Sequence, residues 1–278
     1  MDLHVEHTTE YRYSLPSRHS IQYIRLTPPS NEGQTVRYWQ IDAPERLTQW
    51  YDGFGNIVHT LVMNSEHEAL RLTVHGTVST SDTSGVLPSA ERPDASLFLL
   101  QPTALTRADE DMARFVESLG RPDSSGLIGY LHVLMAAIRD RVDYLRGETD
   151  VAMTAAEAFL AGAGFYQDHA HIFAACARLA GLPTRYVSGY LCDTLDGHAR
   201  DSSHAWAETL VPHLGWVGFD PANGISPDDR YIRIACGRDY RDAAPVRGIR
   251  SGGGGEVLAM RVAVLDAADS DATAQVQS

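Results

Sequence analysis

The chain has 278 residues, 44% hydrophobic and 21% charged, a composition that supports a sizeable core in one large or two modest domains. Its formal net charge is −13 and it has no basic run, which argues against nucleic acid and anionic membrane as partners. No apolar stretch of about 18 residues is present, the first residues are too polar for a signal peptide, and three scattered cysteines, Cys176, Cys192 and Cys236, fit a reducing compartment, so the cytoplasm is the expected location.

Residues 1–80 alternate polar and apolar side chains in short runs, with a turn signal at Asp52-Gly53-Phe54-Gly55-Asn56. The pattern predicts a β-sandwich-like N-terminal domain with a packing or docking role. Residues 81–104, rich in Ser, Pro, Asp and Thr, read as a linker. Helical signals follow. Thr106 with Asp109 resembles a capping box for a helix over 107–119, and Ser124 or Ser125 is placed to cap a second that carries Leu127, Leu131, Leu134, Ile138 and Val142. Thr154 with Glu157 opens a short helix that stops at Gly162 to Gly164. Residues 166–180 then form a well-punctuated helix, with Gly164 before it and Gly181 and Pro183 after it. Its second half is small or apolar all round, so it is expected to be central and buried. Strand-like alternation returns at 185–191, 204–211 and 216–220, and a closing strand is expected over 257–265 after the glycine run 252–255. The expected organisation is α+β: a core over 105–267 behind the N-terminal domain, and a flexible tail over 268–278.

Three features converge on chemistry. A helix start at residue 166 offers backbone N–H groups and the positive end of a dipole, which suit a thiolate or an oxyanion. Ser203-His204-Ala205-Trp206 begins a strand with an imidazole, and Trp216 to Asp220 ends a neighbouring strand with a carboxylate able to orient that imidazole. The order helix start, His, Asp is that of a cysteine–histidine–aspartate acyl-transfer site.

These segments resemble the bacterial transglutaminase-like superfamily. The resemblance is carried by Gly164 to His171, Arg185 to Tyr190, Ser203 to Trp206, Gly215 to Pro221, and Gly237 to Tyr240 with Asp242 and Pro245. His7 to Tyr13 and the turn at 52–56 resemble the β-rich extension found in one bacterial subgroup. The resemblance implies a papain-like core, a central helix packed on an antiparallel sheet. It places the family's nucleophile at position 166, which is Tyr, and its other catalytic positions at His204 and Asp220. It further implies a cleft lined by Gln167, Asp168, His169 and Trp206, with Asp239 and Tyr240 on its rim, a surface turn being the alternative for that pair.

No metal and no cofactor are expected. His169 and His171 sit at i and i+2 of a helix and diverge, so a site joining His169, His204 and Asp220 is a minor alternative. Gly252 to Gly255 lacks the Lys-Ser/Thr of a phosphate loop. The expected partner is a peptide or protein ligand of a cleft that has lost its chemistry. The competing expectations are an amide or peptide-bond hydrolase or acyltransferase that uses His204 and Asp220 with an unusual nucleophile, and a purely structural interaction module.

Overall fold

The computed structural model describes residues 1–88, 93–122, 126–145, 153–192 and 202–267. The N-terminal strands are β1 (Asp2–Thr27), β2 (Gln34–Asp42), β3 (Thr48–Tyr51), β4 (Ile57–Met63) and β5 (His67–Thr80), in the order β2-β5-β1-β4-β3. β1 is one long strand where two short runs were expected. Its pairing with β5 shifts register between Arg12 and Ser17, and a break in register bends a strand. The first half of β1 therefore lies beside β5, and the second half beside β4. Ile24, Leu26, Leu61, Leu70 and Leu72 meet in one buried cluster, so a single sheet curls over its own apolar face. This curled sheet takes the place of the expected pair of sheets.

The linker is docked on the core. β6 (Val86–Leu87) pairs with a core strand, a 3₁₀ helix covers Pro93–Leu100, and Leu99 is buried against Leu210 and Trp216. Helix α1 (Glu110–Ser118) starts later than expected: the Asp109 carboxylate caps it by accepting from Met112 N–H, whereas the Thr106 hydroxyl accepts from Arg178 Nη1 at 2.7 Å. Helix α2 (Leu127–Arg141) buries Leu127, Leu131, Leu134 and Ile138. The expected cap at Ser124 or Ser125 lies outside the described residues. After β7 (Asp143–Tyr144), α3 (Ala155–Ala161) carries the expected Thr154–Glu157 capping box and ends at Gly162 with φ 67°. There the left-handed backbone suits a residue with no Cβ.

β8 (Ala163–Gly164) leads into α4 (Tyr166–Leu179), which is buried almost all round, with Phe173, Ala174, Cys176 and Ala177 fully enclosed. It packs on β9 (Thr184–Leu191) and β10 (Ser203–Val211), and its Phe173 ring stacks on Phe219 of β11 (Gly215–Phe219). A strand that the sequence did not announce, β12 (Tyr231–Gly237), completes an antiparallel sheet in the order β12-β9-β10-β11-β6. The short α5 (Tyr240–Ala243) follows.

The chain then leaves the core. β13 (Val246–Gly252) and β14 (Glu256–Asp266) run antiparallel to β1 along nearly its whole length. The glycines between them form a bulge opposite Ser14 and Leu15, with Gly252, Gly253 and Gly254 all at positive φ. The closing strand is thus present, but it joins the N-terminal sheet. The tail over 268–278 lies outside the described residues. Among the described residues no helix is long and apolar enough to cross a membrane.

Candidate functional site

The start of α4 is shaped by its own sequence. Phe165 is extended, and its N–H donates to Asp168 Oδ2 at 2.9 Å, closing the first turn from within. A Cβ at Gly164 would sit 2.8 Å from that of Asp168, so this fold-back requires glycine. Tyr166 is then the first helical residue. Its ring centroid lies 5.2 Å from that of His204, at an interplanar angle of 54°.

His204 is held from behind. Its Nε2 lies 2.6 Å from Asp220 Oδ2, which places the imidazole proton on Nε2 and leaves Nδ1 as the other ring nitrogen. Asp220 is fully buried. Its Oδ2 also accepts from Tyr231 Oη at 2.7 Å and Asn223 Nδ2 at 2.8 Å, and its Oδ1 accepts from the backbone of Ala222 and Asn223. Burial pushes this carboxyl upward, but the facing His204 and the donated hydrogen bonds outweigh that and hold it below the ordinary value. Burial and the adjacent Asp220 in turn push the Tyr231 phenol far up, so it stays a donor. The structure thus brings Tyr166, His204 and Asp220 together.

A cleft with about 480 Å³ of open space lies in front of them, lined by Tyr166 and His204 and, of the six expected lining residues, by Gln167 and Tyr240. The other four serve elsewhere. Asp168 closes the helix start. His169 turns Nδ1 to Phe165 O at 2.9 Å and Nε2 to Val142 O at 3.0 Å. Trp206 is buried over Gly189 and against Tyr231, behind the imidazole. Asp239 caps α5 by accepting from Arg241 N–H and Asp242 N–H. The surface-turn alternative fails for both members of its pair, because Asp239 is buried and Tyr240 lines the cleft.

Sequence reasoning missed His7, Leu26, Tyr186, Ser188, Tyr190 and Met260, which also line the cleft. Strand alternation could have found Tyr186, Ser188 and Tyr190, which share one face of β9. No local signal marks the others, which arrive from β1 and β14.

The minor metal alternative is not assembled, because both His169 nitrogens are directed at carbonyl oxygens. No group of three His, Cys, Asp or Glu among the described residues is placed to hold a metal. His171 Nε2 accepts from Tyr240 N–H at 3.0 Å, and burial lowers the pKa of this imidazole to about 4. All three cysteines are buried thiols, and none lines the cleft. Burial, reinforced by Asp109, pushes the Cys176 thiol well up, away from the thiolate form.

Family models and known proteins match this chain over most of its length. Residues 3–79 match the family model of the bacterial transglutaminase-like N-terminal region, and residues 114–221 match that of the transglutaminase-like superfamily. An uncharacterised protein of Mycobacterium leprae is 32% identical over 271 residues, spanning 91% of this chain and 94% of that one. One from Mycobacterium tuberculosis is 34% identical over 275 residues, spanning 88% and 86%. The crystal structure of a candidate cysteine protease from Cytophaga hutchinsonii superposes with a TM-score of 0.74 at 19% identity, covering 96% of this chain and 91% of that one, and so shares the fold. The chain belongs to the transglutaminase-like superfamily, with the N-terminal region of its bacterial members.

Proposed function

We propose that this is a transglutaminase-like protein without acyl-transfer activity. In this reading Tyr166 stands where the family's nucleophilic cysteine stands, and the cleft binds a peptide or a segment of a partner protein. The observation that carries the reading is the Tyr166 ring at the helix start, 5.2 Å from the His204 ring, with no thiol in the cleft.

Acyl transfer at such a site needs a thiolate to attack the carbonyl carbon while the imidazole holds the proton and helix-start N–H groups hold the oxyanion. A phenol with a pKa near 10 is almost wholly protonated at neutral pH. In this reading its ring, at the helix start beside His204, also takes up space that an acyl group would use. The His204–Asp220 pair then remains as part of the cleft wall. Three buried cysteines outside any disulfide agree with a cytoplasmic location.

A second reading draws on the same intact pair: His204, oriented by Asp220, activates a water for amide hydrolysis. One experiment separates the two. Amide hydrolysis and acyl transfer are measured with a blocked glutamine dipeptide on the natural protein, Tyr166→Cys and His204→Ala. Silence predicts no turnover by the natural protein and new thiol labelling in Tyr166→Cys. Turnover by the natural protein that His204→Ala abolishes would establish the hydrolytic reading.

A further inference from the structure

The cleft wall has a composition unlike that of the chain. Among the described residues it holds four tyrosines, two histidines, two serines and a glutamine, with no Asp, Glu, Lys or Arg, although 21% of the chain is charged. The histidine from the N-terminal sheet adds no charge either. His7 Nδ1 lies 2.6 Å from Tyr190 Oη, and its Nε2 lies 2.8 Å from Thr9 Oγ1, so both nitrogens are engaged within the protein. Burial lowers the pKa of this imidazole to about 4, which leaves it neutral at neutral pH. Burial also raises the phenols of Tyr186, Tyr190 and Tyr240. The carboxylates nearby are engaged within the protein: Asp220 is fully buried behind His204 and accepts from five donors, Asp168 accepts from Phe165 N–H, and Asp239 caps α5.

Leu26 and Met260 add an apolar wall. They come from β1 and β14, so the N-terminal sheet forms part of the cleft. A carboxylate or ammonium entering such a space sheds water and meets no Asp, Glu, Lys or Arg side chain on the wall. A ring or an aliphatic chain sheds only water it does not need, and rings gain edge-to-face contacts with the tyrosines.

We infer that the cleft selects an uncharged aromatic or aliphatic side chain of a peptide, and that the wall contributed by β1 and β14, through His7, Leu26 and Met260, sets this selectivity. The inference rests on the reading of this space as a binding cleft.

N-acetyl-phenylalanine amide, N-acetyl-glutamate amide and N-acetyl-lysine amide are titrated into the full chain at pH 7, with NMR shifts of the Gln167 and Ser188 amides as the readout. The phenylalanine derivative is expected to bind at least tenfold more tightly than either charged one. Met260→Glu places a carboxylate on the wall at a half-exposed position that tolerates it. It is expected to weaken the phenylalanine derivative at least fivefold and to strengthen the lysine derivative, while Met260→Leu retains the original ranking. Thermal melting confirms that each variant is folded. Binding of either charged derivative to the natural protein within tenfold of the phenylalanine one, binding of none, or affinities unmoved by Met260→Glu would overturn the inference. Each of these leaves the silence of the site untouched, because silence is read from turnover. Turnover would remove silence and leave the selectivity measurable.

Discussion

Two buried carboxylates lie on, or just beyond, neighbouring strands of the core sheet, and different chemistry holds each of them. Glu208 on β10 lies 2.6 Å from Arg185 Nε and 3.1 Å from Arg233 Nε. Asp220, just past β11, is held by an imidazole, a phenol, a carboxamide and two backbone amides. Burial pushes both carboxyls upward and the partners pull both below the ordinary value. The partners of Glu208 are permanent cations with no proton to exchange, which makes it a scaffold. The closest partner of Asp220 is a titratable ring that faces the cleft. The protein thus holds an oriented imidazole beside a phenol that, in the function proposed above, makes poor use of it.

Removing each carboxylate sharpens the contrast. Glu208→Ala strands two buried guanidinium groups and is expected to cost about 3–5 kcal/mol in denaturant unfolding. A loss under about 1 kcal/mol would show that the two arginines find water, and would erase the distinction.

Acid separates the carboxylates from the buried histidines. Between pH 6.5 and about 4.5 neither carboxylate titrates, since both are held below their ordinary values. His7 and His171 protonate near 6.5 when unfolded but only near 4 when folded. The unfolded chain therefore binds more protons in this window, stability rises with pH, and acidification from 6.5 towards 4 costs roughly 3 kcal/mol for each histidine. Unfolding measured across that range is expected to show the slope, and His7→Gln to remove about half of it. Flat stability there would mean that the rings are hydrated.

Asp220→Asn is the mildest change. It keeps the shape and some hydrogen bonds but loses the charge that strengthens them, at a cost of roughly 1.5–3 kcal/mol. The slope below pH 4 should also shrink, because one carboxyl that protonates only below its ordinary value has been removed.

What was legible in the sequence was local. The Thr154–Glu157 box, the glycine-bounded α4 and the alternation of β9 to β11 are signals within a few residues of one another. They were enough to bring residues 166, 204 and 220 into one place. Contacts between distant segments were not legible. Thr106 reads as a helix cap until Arg178, buried and in need of acceptors, takes its hydroxyl. Alternation assigns Trp206 to a face of the sheet but cannot show that Gly189 and Tyr231 cover it. Nothing near residues 246–266 announces that they will run along β1 and lend Met260 to the cleft.

The same helix that carries Tyr166 carries a thiol that cannot substitute for it. Cys176 lies in the packed interior of α4, where burial suppresses its thiolate, while residue 166 has the helix start and His204 but no sulfur. The most direct test is the pH dependence of iodoacetamide alkylation at residue 166 in Tyr166→Cys, alone and combined with His204→Ala. A site intact except for its nucleophile predicts a thiolate formed well below the ordinary cysteine value of about 8.5, with the shift lost when His204 is removed. A thiol that titrates near 8.5 in both variants would contradict the account.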